Sequence, residues 1–479
     1  MRGTFGGHRL RFGVLSDVHI RAPKSEDLVE KAFAYFRDRE VDAVLIAGDI
    51  ADRGLKDELR RCAEAWNRVF PAGCGVRQLF VYGNHDWEGW QYGLKKGEPR
   101  PAEFADDLLV CTDPAATWKE TFGEDYAPIM LKEVCGYKFV LCQTKELRKE
   151  DWERFVDAHR AELKSAPLFF YTQHFHLKGT CSAPWVWGQD SGYSTQALSE
   201  FPNCVAFSGH SHTPLTDERT IRQGDFKFTS VGTASLRYLI AFGGRENSVP
   251  FAERVKATEG KQMADVLRTV AQTAHHGMVV SVFGDRVEFE RIDIETLRPV
   301  AEKWTMPLGD YGALSYERRA ARAVEPEFAA DARASVAEGR GKDMRGAETD
   351  QVTVTFPTLR EPVRAFDYEV TVRYVEGDLD KVALQKRVYT YQLYRPVEFE
   401  EATATCVFAR AELPHDVELR FEVRPLNCFG GRGAPIVTTY RIDSDETVAR
   451  KKAKVKAKAG AKKNGKMPSL ASGTESSPF

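Results

Sequence analysis

The stretch Asp42-Ala43-Val44-Leu45-Ile46-Ala47-Gly48-Asp49-Ile50-Ala51-Asp52-Arg53-Gly54 decides the fold. Its first half is a short apolar run, the composition of a strand buried on both faces of a parallel sheet. The run stops at Gly-Asp, and a second carboxylate and a guanidinium follow. Charged groups therefore sit at the carboxyl end of a buried strand, where ligands gather in open α/β sheets.

The same grammar recurs along the chain. Arg11–Leu15 reads as a strand and leads to Asp17-Val18-His19. Gln78–Tyr82 leads to Gly83-Asn84-His85-Asp86, Leu168–Thr172 to His174, and Val205–Ser208 to Gly209-His210-Ser211-His212. Between them lie helices over Ser25–Arg39, with apolar residues at helical spacing, Lys56–Phe70 and Asp151–Leu163. Alternating strands and helices predict an α/β domain with all five clusters on one rim. A Gly-Asp turn between Gly277–Phe283 and Arg286–Ile292 predicts a hairpin that closes this domain near Arg298.

Aspartate, histidine and asparagine offer oxygen and imidazole nitrogen, ligands that suit Zn, Mn or Fe. Four His, two Asp and one Asn suffice for two ions if one carboxylate bridges them. Two ions ~3.5–4 Å apart can polarise a phosphoryl oxygen and generate a hydroxide at neutral pH.

The ordered set DxH, GDxxD, GNH[DE], a lone His and GHxH resembles the calcineurin-like metallophosphoesterase superfamily over residues 10–300. The resemblance implies an αββα sandwich and two divalent metal ions, Mn, Fe or Zn. It implies that Asp17, His19 and His212 hold the first ion and that Asn84, His174 and His210 hold the second. Asp49, with a water or hydroxide, would bridge them. His85 would protonate the leaving oxygen, and Asp52 would orient and charge-match His85. Asn84 and Arg53 are the candidate substrate-binding residues, since Arg53 matches a phosphate-binding position of the protein serine/threonine phosphatase branch. The implied activity is hydrolysis of phosphate mono- or diesters through a metal-bridging hydroxide. A Mn-dependent nuclease on the same fold is the alternative, and a non-catalytic binding scaffold is a third reading. The third motif ends in Asp86 rather than Glu. Purple acid phosphatases place Tyr where Asp52 sits, which argues against a Tyr-ligated ferric site.

Plainer readings stand beside these. Asp52 could be a turn or cap residue and Arg53 a surface charge. His176 competes with His174 for the fourth position; His174 is favoured because it comes first after the strand, and His176 is expected to face the pocket or solvent. Trp87, Trp90, Trp185 and Trp187 flank the third and fourth motifs and either shape a substrate pocket or pack loops. His8, His159, His275, His276 and His415 lack partner patterns and read as surface histidines.

Residues 301–325 read as a linker, within an Ala-, Arg-, Glu- and Gly-rich stretch of little periodicity. Residues 326–445 read as an all-β sandwich whose strands, clear from Gln351 onward, recur about every ten residues. Leu413-Pro414 through Val423, with Asn427, Gly430-Gly431 and Ala434-Pro435, resembles an immunoglobulin/fibronectin type III-like module. Residues 446–479 are Lys- and Ala-rich, and disorder is expected there.

The whole chain has 479 residues, 42% hydrophobic and 29% charged, which is ordinary for a globular protein and excludes global disorder. No run approaches the ~20 apolar residues of a membrane span, so no integral membrane association is expected. No secretory h-region is read at the start, and the nine cysteines lack a Cys-x-x-Cys, so reduced thiols and a cytoplasmic location are expected. Arg450–Lys466 holds nine basic residues in seventeen; the segment from Arg450 carries +8 and the rest −10. The resemblance implies a phosphoester substrate as partner. The basic tail suits a weak anionic partner, nucleic acid or lipid.

Overall fold

The computed structural model describes residues 7 and 9–464, except 22, 93, 96, 105–108, 182–188, 243–248, 251–266, 343–345, 361–362, 390–393, 397 and 399–401. Trp185 and Trp187 lie outside the described residues, as do His8 and 465–479.

The apolar runs become strands. β1 (Leu10–Leu15), β2 (Ala43–Ala47) and β3 (Arg77–Val81) lie parallel and adjacent. The hairpin strands His276–Val282 and Arg286–Asp293 extend this sheet, the first pairing antiparallel with β1. A second sheet comprises β4 (Ile129–Val134), β5 (Tyr137–Cys142), β6 (Phe169–Gln173), β7 (Cys204–Ser208), β8 (Ile221–Gln223) and β9 (Thr229–Gly232), in the order β4-β5-β6-β7-β9-β8. Its inner strands β5, β6, β7 and β9 are parallel, and antiparallel strands guard both edges.

The sheets pack face to face around Phe12, whose ring meets Phe139, Phe170 and Phe207 edge-on at 5.3, 5.0 and 5.9 Å between centroids. The helices α1 (Pro23–Asp38) and α2 (Lys56–Val69) cover the outer face of the first sheet with Val29, Phe33, Phe36, Leu59 and Trp66. Further helices are α3 (Asn84–Glu88), α4 (Pro114–Phe122) and α5 (Lys149–Ser165); α5 covers the second sheet through Trp152, Val156 and Leu163. The layers are thus α/β/β/α. With both sheet faces covered, the central strands are apolar throughout, as the sequence of β2 requires.

The domain does not close at residue 300. Trp304–Pro307 pairs with Arg286–Phe289, and Trp304, Met306 and Leu314 join the inter-sheet core. This part of the expected linker alternates buried and exposed residues, and the Trp304 indole donates to Glu218 Oε2 at 2.8 Å.

The C-terminal region is a sandwich of three strands, Ser335–Lys342, Glu348–Pro357 and Thr403–Ala409, facing four, in the order Leu379–Tyr389, Asp367–Glu376, Glu418–Leu426 and Ile436–Arg441. Val352, Val354, Tyr368, Val370, Phe408 and Phe421 fill its core. Ser335–Lys342 escapes a sequence reading because it is a mostly exposed strand of mixed composition, paired to one neighbour. Phe366 and Tyr394 of this region plug into the core of the first domain.

The expected disorder of the tail is corrected over part of its length. Asp445–Asn464 is helical. Ser444 caps it, accepting from the Thr447 N–H at 3.2 Å, and Asp445 and Glu446 occupy the first turn. Alanine and lysine are strong helix formers, so the segment needs no buried face to be helical. Among the described residues, no helix is long and apolar enough to cross a membrane.

Two of the expected surface histidines are buried. His275 donates from Nδ1 to Leu236 O. His276 donates from Nε2 to Tyr394 O at 2.6 Å and accepts the Leu215 N–H on Nδ1 at 3.1 Å. Burial, with Arg291, Arg364 and His275 nearby, pushes the His276 pKa down to about 3 although the Tyr394 bond works against this.

Two predictions follow from this architecture. Phe12→Ala is expected to cost ~3–5 kcal/mol, read as a lower denaturant midpoint for the first domain; an unchanged midpoint would refute the inter-sheet role of Phe12. His276 stays neutral when folded but titrates near 6.5 when unfolded, so it contributes stability that is lost as pH falls from ~6.5 toward 3. Unfolding near pH 5 should take up about one proton fewer in His276→Gln than in the parent chain, measured from the pH slope of stability.

Candidate metal centre

β1, β2, β3, β6 and β7 all deliver their carboxyl ends to one rim. The turns that follow are abnormal for ordinary side chains. Asp17, His19, Asp49, His210 and His212 all have positive φ, between 49 and 66°. Non-glycine residues seldom adopt that region, and clusters of them mark sites where the surrounding structure forces the backbone. Glycines make room for the close approach. A Cβ on Gly48 would lie 2.5 Å from His174 Nδ1, and one on Gly83 would lie 2.2 Å from Asp49 Oδ1.

The side chains converge in two groups. Asp17, His19 and His212 form one, with His212 Nε2 3.0 Å from Asp17 Oδ1. Asp17, Asp49, His174 and His210 form the other. There, His174 Nε2 lies 3.1 Å from Asp49 Oδ2, 2.9 Å from Asn84 Oδ1 and 3.2 Å from His210 Nδ1. His19 Nε2 lies 3.7 Å from Asp49 Oδ2, so Asp49 stands between the groups. All seven side chains are buried.

Carbonyls decide which nitrogen each imidazole presents. His174 Nδ1 donates to Ala47 O and His212 Nδ1 to Tyr238 O, both at 2.8 Å. The Nε2 lone pairs therefore point inward, as in metal sites where the second ring nitrogen is fixed by an outer hydrogen bond. The His174 lone pair meets those of Asn84 and Asp49, an arrangement that calls for a cation between them. His19 Nε2 and Asp49 Oδ2 are buried with no hydrogen-bond partner. The donor set of imidazole, carboxylate and amide oxygen fits Mn, Fe or Zn.

The electrostatics agree. Burial works to raise Asp17 and Asp49, yet His212 holds Asp17 at about 2, and His174 and His85 hold Asp49 well below the usual carboxylate range. Burial and neighbouring imidazoles push His19 and His210 down, so both are neutral at pH 7. Ionised carboxylates and neutral imidazoles are the forms that bind metal. For His174, burial is outweighed by Asp49, and its pKa is raised to about 9; in the metal-free chain a proton fills the gap between lone pairs.

Around this core the expected roles need two corrections. His85 Nδ1 donates to the backbone carbonyl of Asp52 at 2.7 Å, whereas the Asp52 carboxylate is 4.0 Å away. That carboxylate instead approaches His19 Nδ1 at 3.3 Å, without hydrogen-bond alignment, and Arg21 at 3.5 Å. The chain turns back against α3 at Gly54, whose φ is +73° and where an added Cβ would lie 3.1 Å from His85 O. Arg53 sits on the same turn, its Nε 3.1 Å from the buried carboxylate of Glu58 and its guanidinium over Phe104. His176 faces neither pocket nor solvent; it is buried, its Nε2 2.8 Å from Cys181 O.

Three residues of the site were not singled out from sequence. Asp86 accepts the N–H groups of Gly83 and Ala51, both at 2.7 Å, and so ties the second motif to the third. Tyr92 accepts the Asn84 amide on its hydroxyl at 2.7 Å, which turns Asn84 Oδ1 toward His174; its ring lies 4.5 Å from His85. The Tyr238 ring lies 4.4 Å from His212. Only Asp86 left a signal, as the last residue of a motif.

Residues 10–214 match the family profile described as calcineurin-like phosphoesterase. No curated protein matches the chain. Among solved structures, the chain is similar to a dimetal phosphatase from Danio rerio, at 13% identity over 63% of this chain and 100% of that one, TM-score 0.35. It is similar to the anchor protein of the Plasmodium inner membrane complex, at 12% identity over 63% and 89%, TM-score 0.35. It is also similar to a purple acid phosphatase from yellow lupin seeds, at 13% identity over 62% of this chain and 53% of that one, TM-score 0.39. All five motifs fall inside this matched span.

Proposed function

We propose that the chain is a dinuclear-metal-dependent phosphoesterase that hydrolyses phosphate mono- or diesters. The convergence of buried, mutually facing lone pairs at the rim carries this reading. Asp17, His19 and His212 hold one ion, Asn84, His174 and His210 the other, and Asp49 is shared. Two Mn, Fe or Zn ions bound there supply Lewis-acid polarisation of the phosphoryl oxygen and a water-derived nucleophile at neutral pH.

The protein's own residues do the rest. In hydrolysis, an oxygen from water bonds to phosphorus, the bond from phosphorus to the ester oxygen breaks, and the departing oxygen takes a proton. His85 holds that proton. Its Nδ1–H is committed to Asp52 O, so Nε2 is the nitrogen that gains and loses a proton. About a quarter of the His85 side chain is exposed (24%), which leaves it accessible to a substrate at the rim. Asp52 positions His85 through its carbonyl, and its carboxylate sets a negative charge 3.3 Å from His19 Nδ1. Asn84, held by Tyr92, orients an ion and the phosphoryl group together. Arg53 supplies positive charge to the phosphoryl oxygens at the rim; Glu58 takes its Nε and fixes the stem of the side chain. We read the C-terminal sandwich, three strands against four, as fibronectin III-like, supported by its strand order.

The test is elemental analysis and turnover with the full chain. Two ions per chain are expected, with hydrolysis of 4-nitrophenyl phosphate or its bis-ester. A metal-loaded protein inert on both would overturn the reading. His85→Ala is expected to keep both ions while kcat on alkyl esters drops ~10²–10⁴-fold. The loss should be smaller on nitrophenyl esters, whose leaving group needs less help; equal losses on both would remove the proton-donor role.

A further inference from the structure

Beside α3, the helix that carries Asn84 and His85, lies a cavity of about 360 Å³. It is lined by the indoles of Trp87 and Trp90, by Arg100, Lys145 and Arg148, and by one carboxylate, Glu88. Among the described lining residues, three cations thus face one acid between aromatic walls, and such walls concentrate the field of the charges. Lys145 pairs with Glu88, and Arg100 stacks over the Trp90 ring at 4.6 Å. Arg148 forms no ion pair with a described residue. Among the described residues, Arg148 therefore keeps an uncompensated positive charge at the cavity. Both indole N–H groups are buried without an acceptor, and a small turn of either ring would offer a donor to an entering oxyanion.

This cavity is built onto the metal centre at two points. Glu88 is four residues after Asn84 on α3, so the two side chains share one helix face, ~6 Å apart along the axis. On the other side, Lys145 lies 5.9 Å from the centre of the Phe175 ring and accepts the Phe175 N–H on its carbonyl at 2.9 Å. Phe175 in turn packs 4.6 Å from the His210 ring. Asn84 at the metal centre and Glu88 at the cavity are thus about one helical turn apart, a span that a spacer of a few atoms covers.

We propose that this cavity is the subsite for a second acidic group of the substrate, a carboxylate or phosphate, bound by Arg100, Lys145 and Arg148. The proposal rests on the phosphoesterase reading and adds the substrate class: phosphoesters with two anionic ends. Nitrophenyl phosphates, which lack the second group, are then minimal substrates.

The Mn-loaded full chain tests it with 4-(phosphonooxy)butanoate and its methyl ester at one ionic strength. The acid should be preferred in kcat/KM by about tenfold or more, the scale of one to two charge-assisted hydrogen bonds. In the double variant Arg100→Met/Arg148→Met the ratio should fall to near one. A ratio near one in the parent chain, or a preference retained by the variant, overturns the subsite. If neither ester is hydrolysed, the phosphoesterase reading fails, and calorimetric titration with glutarate decides the cavity alone. Binding to the parent that weakens about tenfold or more in the variant supports it, on the same scale. No binding to the parent, or equal binding to both, overturns it.

Discussion

Electron pairs facing electron pairs, inside a buried space, are the constraint on which this structure turns. The Nε2 of His174 looks at Asn84 Oδ1 and Asp49 Oδ2 at about hydrogen-bond distance, and none of these oxygens can donate. Without a cation it needs the proton that Asp49 keeps on His174, whose pKa is raised to about 9, and it needs a frame to hold it. The two-sheet core supplies the hold. Phe12, Phe139, Phe170 and Phe207 lock the sheets together, and the strand ends cannot drift apart. The left-handed turns at five of the ligands store the remaining strain where a cation can use it.

The outer hydrogen bonds are as specific as the ligands. Each is made by a backbone carbonyl or by a residue in a neighbouring turn: Ala47 for His174, Tyr238 for His212, Asp52 for His85, Tyr92 for Asn84. A carbonyl can only accept, so it fixes a tautomer without adding a titratable group. The Asp86 carboxylate, which binds three backbone N–H groups across two motifs, is the exception; burial and the nearby Asp49 push its pKa up.

The parallel strands and the residues at their ends were legible because both follow local rules. An apolar run five residues long must be buried, and charge at its end must face a rim. Outer contacts were not legible, since they depend on which way a turn folds. Nothing in Asp52-Arg53-Gly54 says that the Asp52 carbonyl, not its carboxylate, would reach His85. Glu58 could be counted on helix α2, but its grip on Arg53 needs the turn at Gly54 to bring it back. Tyr92 and Tyr238 come from irregular segments with no pattern of their own. His275 and His276 looked like surface residues because their partners, Leu236 and Tyr394, are far away in sequence. The helix over Asp445–Asn464 shows the limit of composition: polarity argued against a core, and it was mistaken for an argument against regular structure.

The seam between the domain and the sandwich has a mechanical meaning. A single imidazole, His276, joins Tyr394 of the sandwich to Leu215, three residues beyond His212. Phe366 and Tyr394 sit in the same core as the strands that carry the ligands. The sandwich is therefore no bead on a string: Phe366 and Tyr394 anchor it in the domain core, and the His276 ring ties Tyr394 to the loop that follows His212.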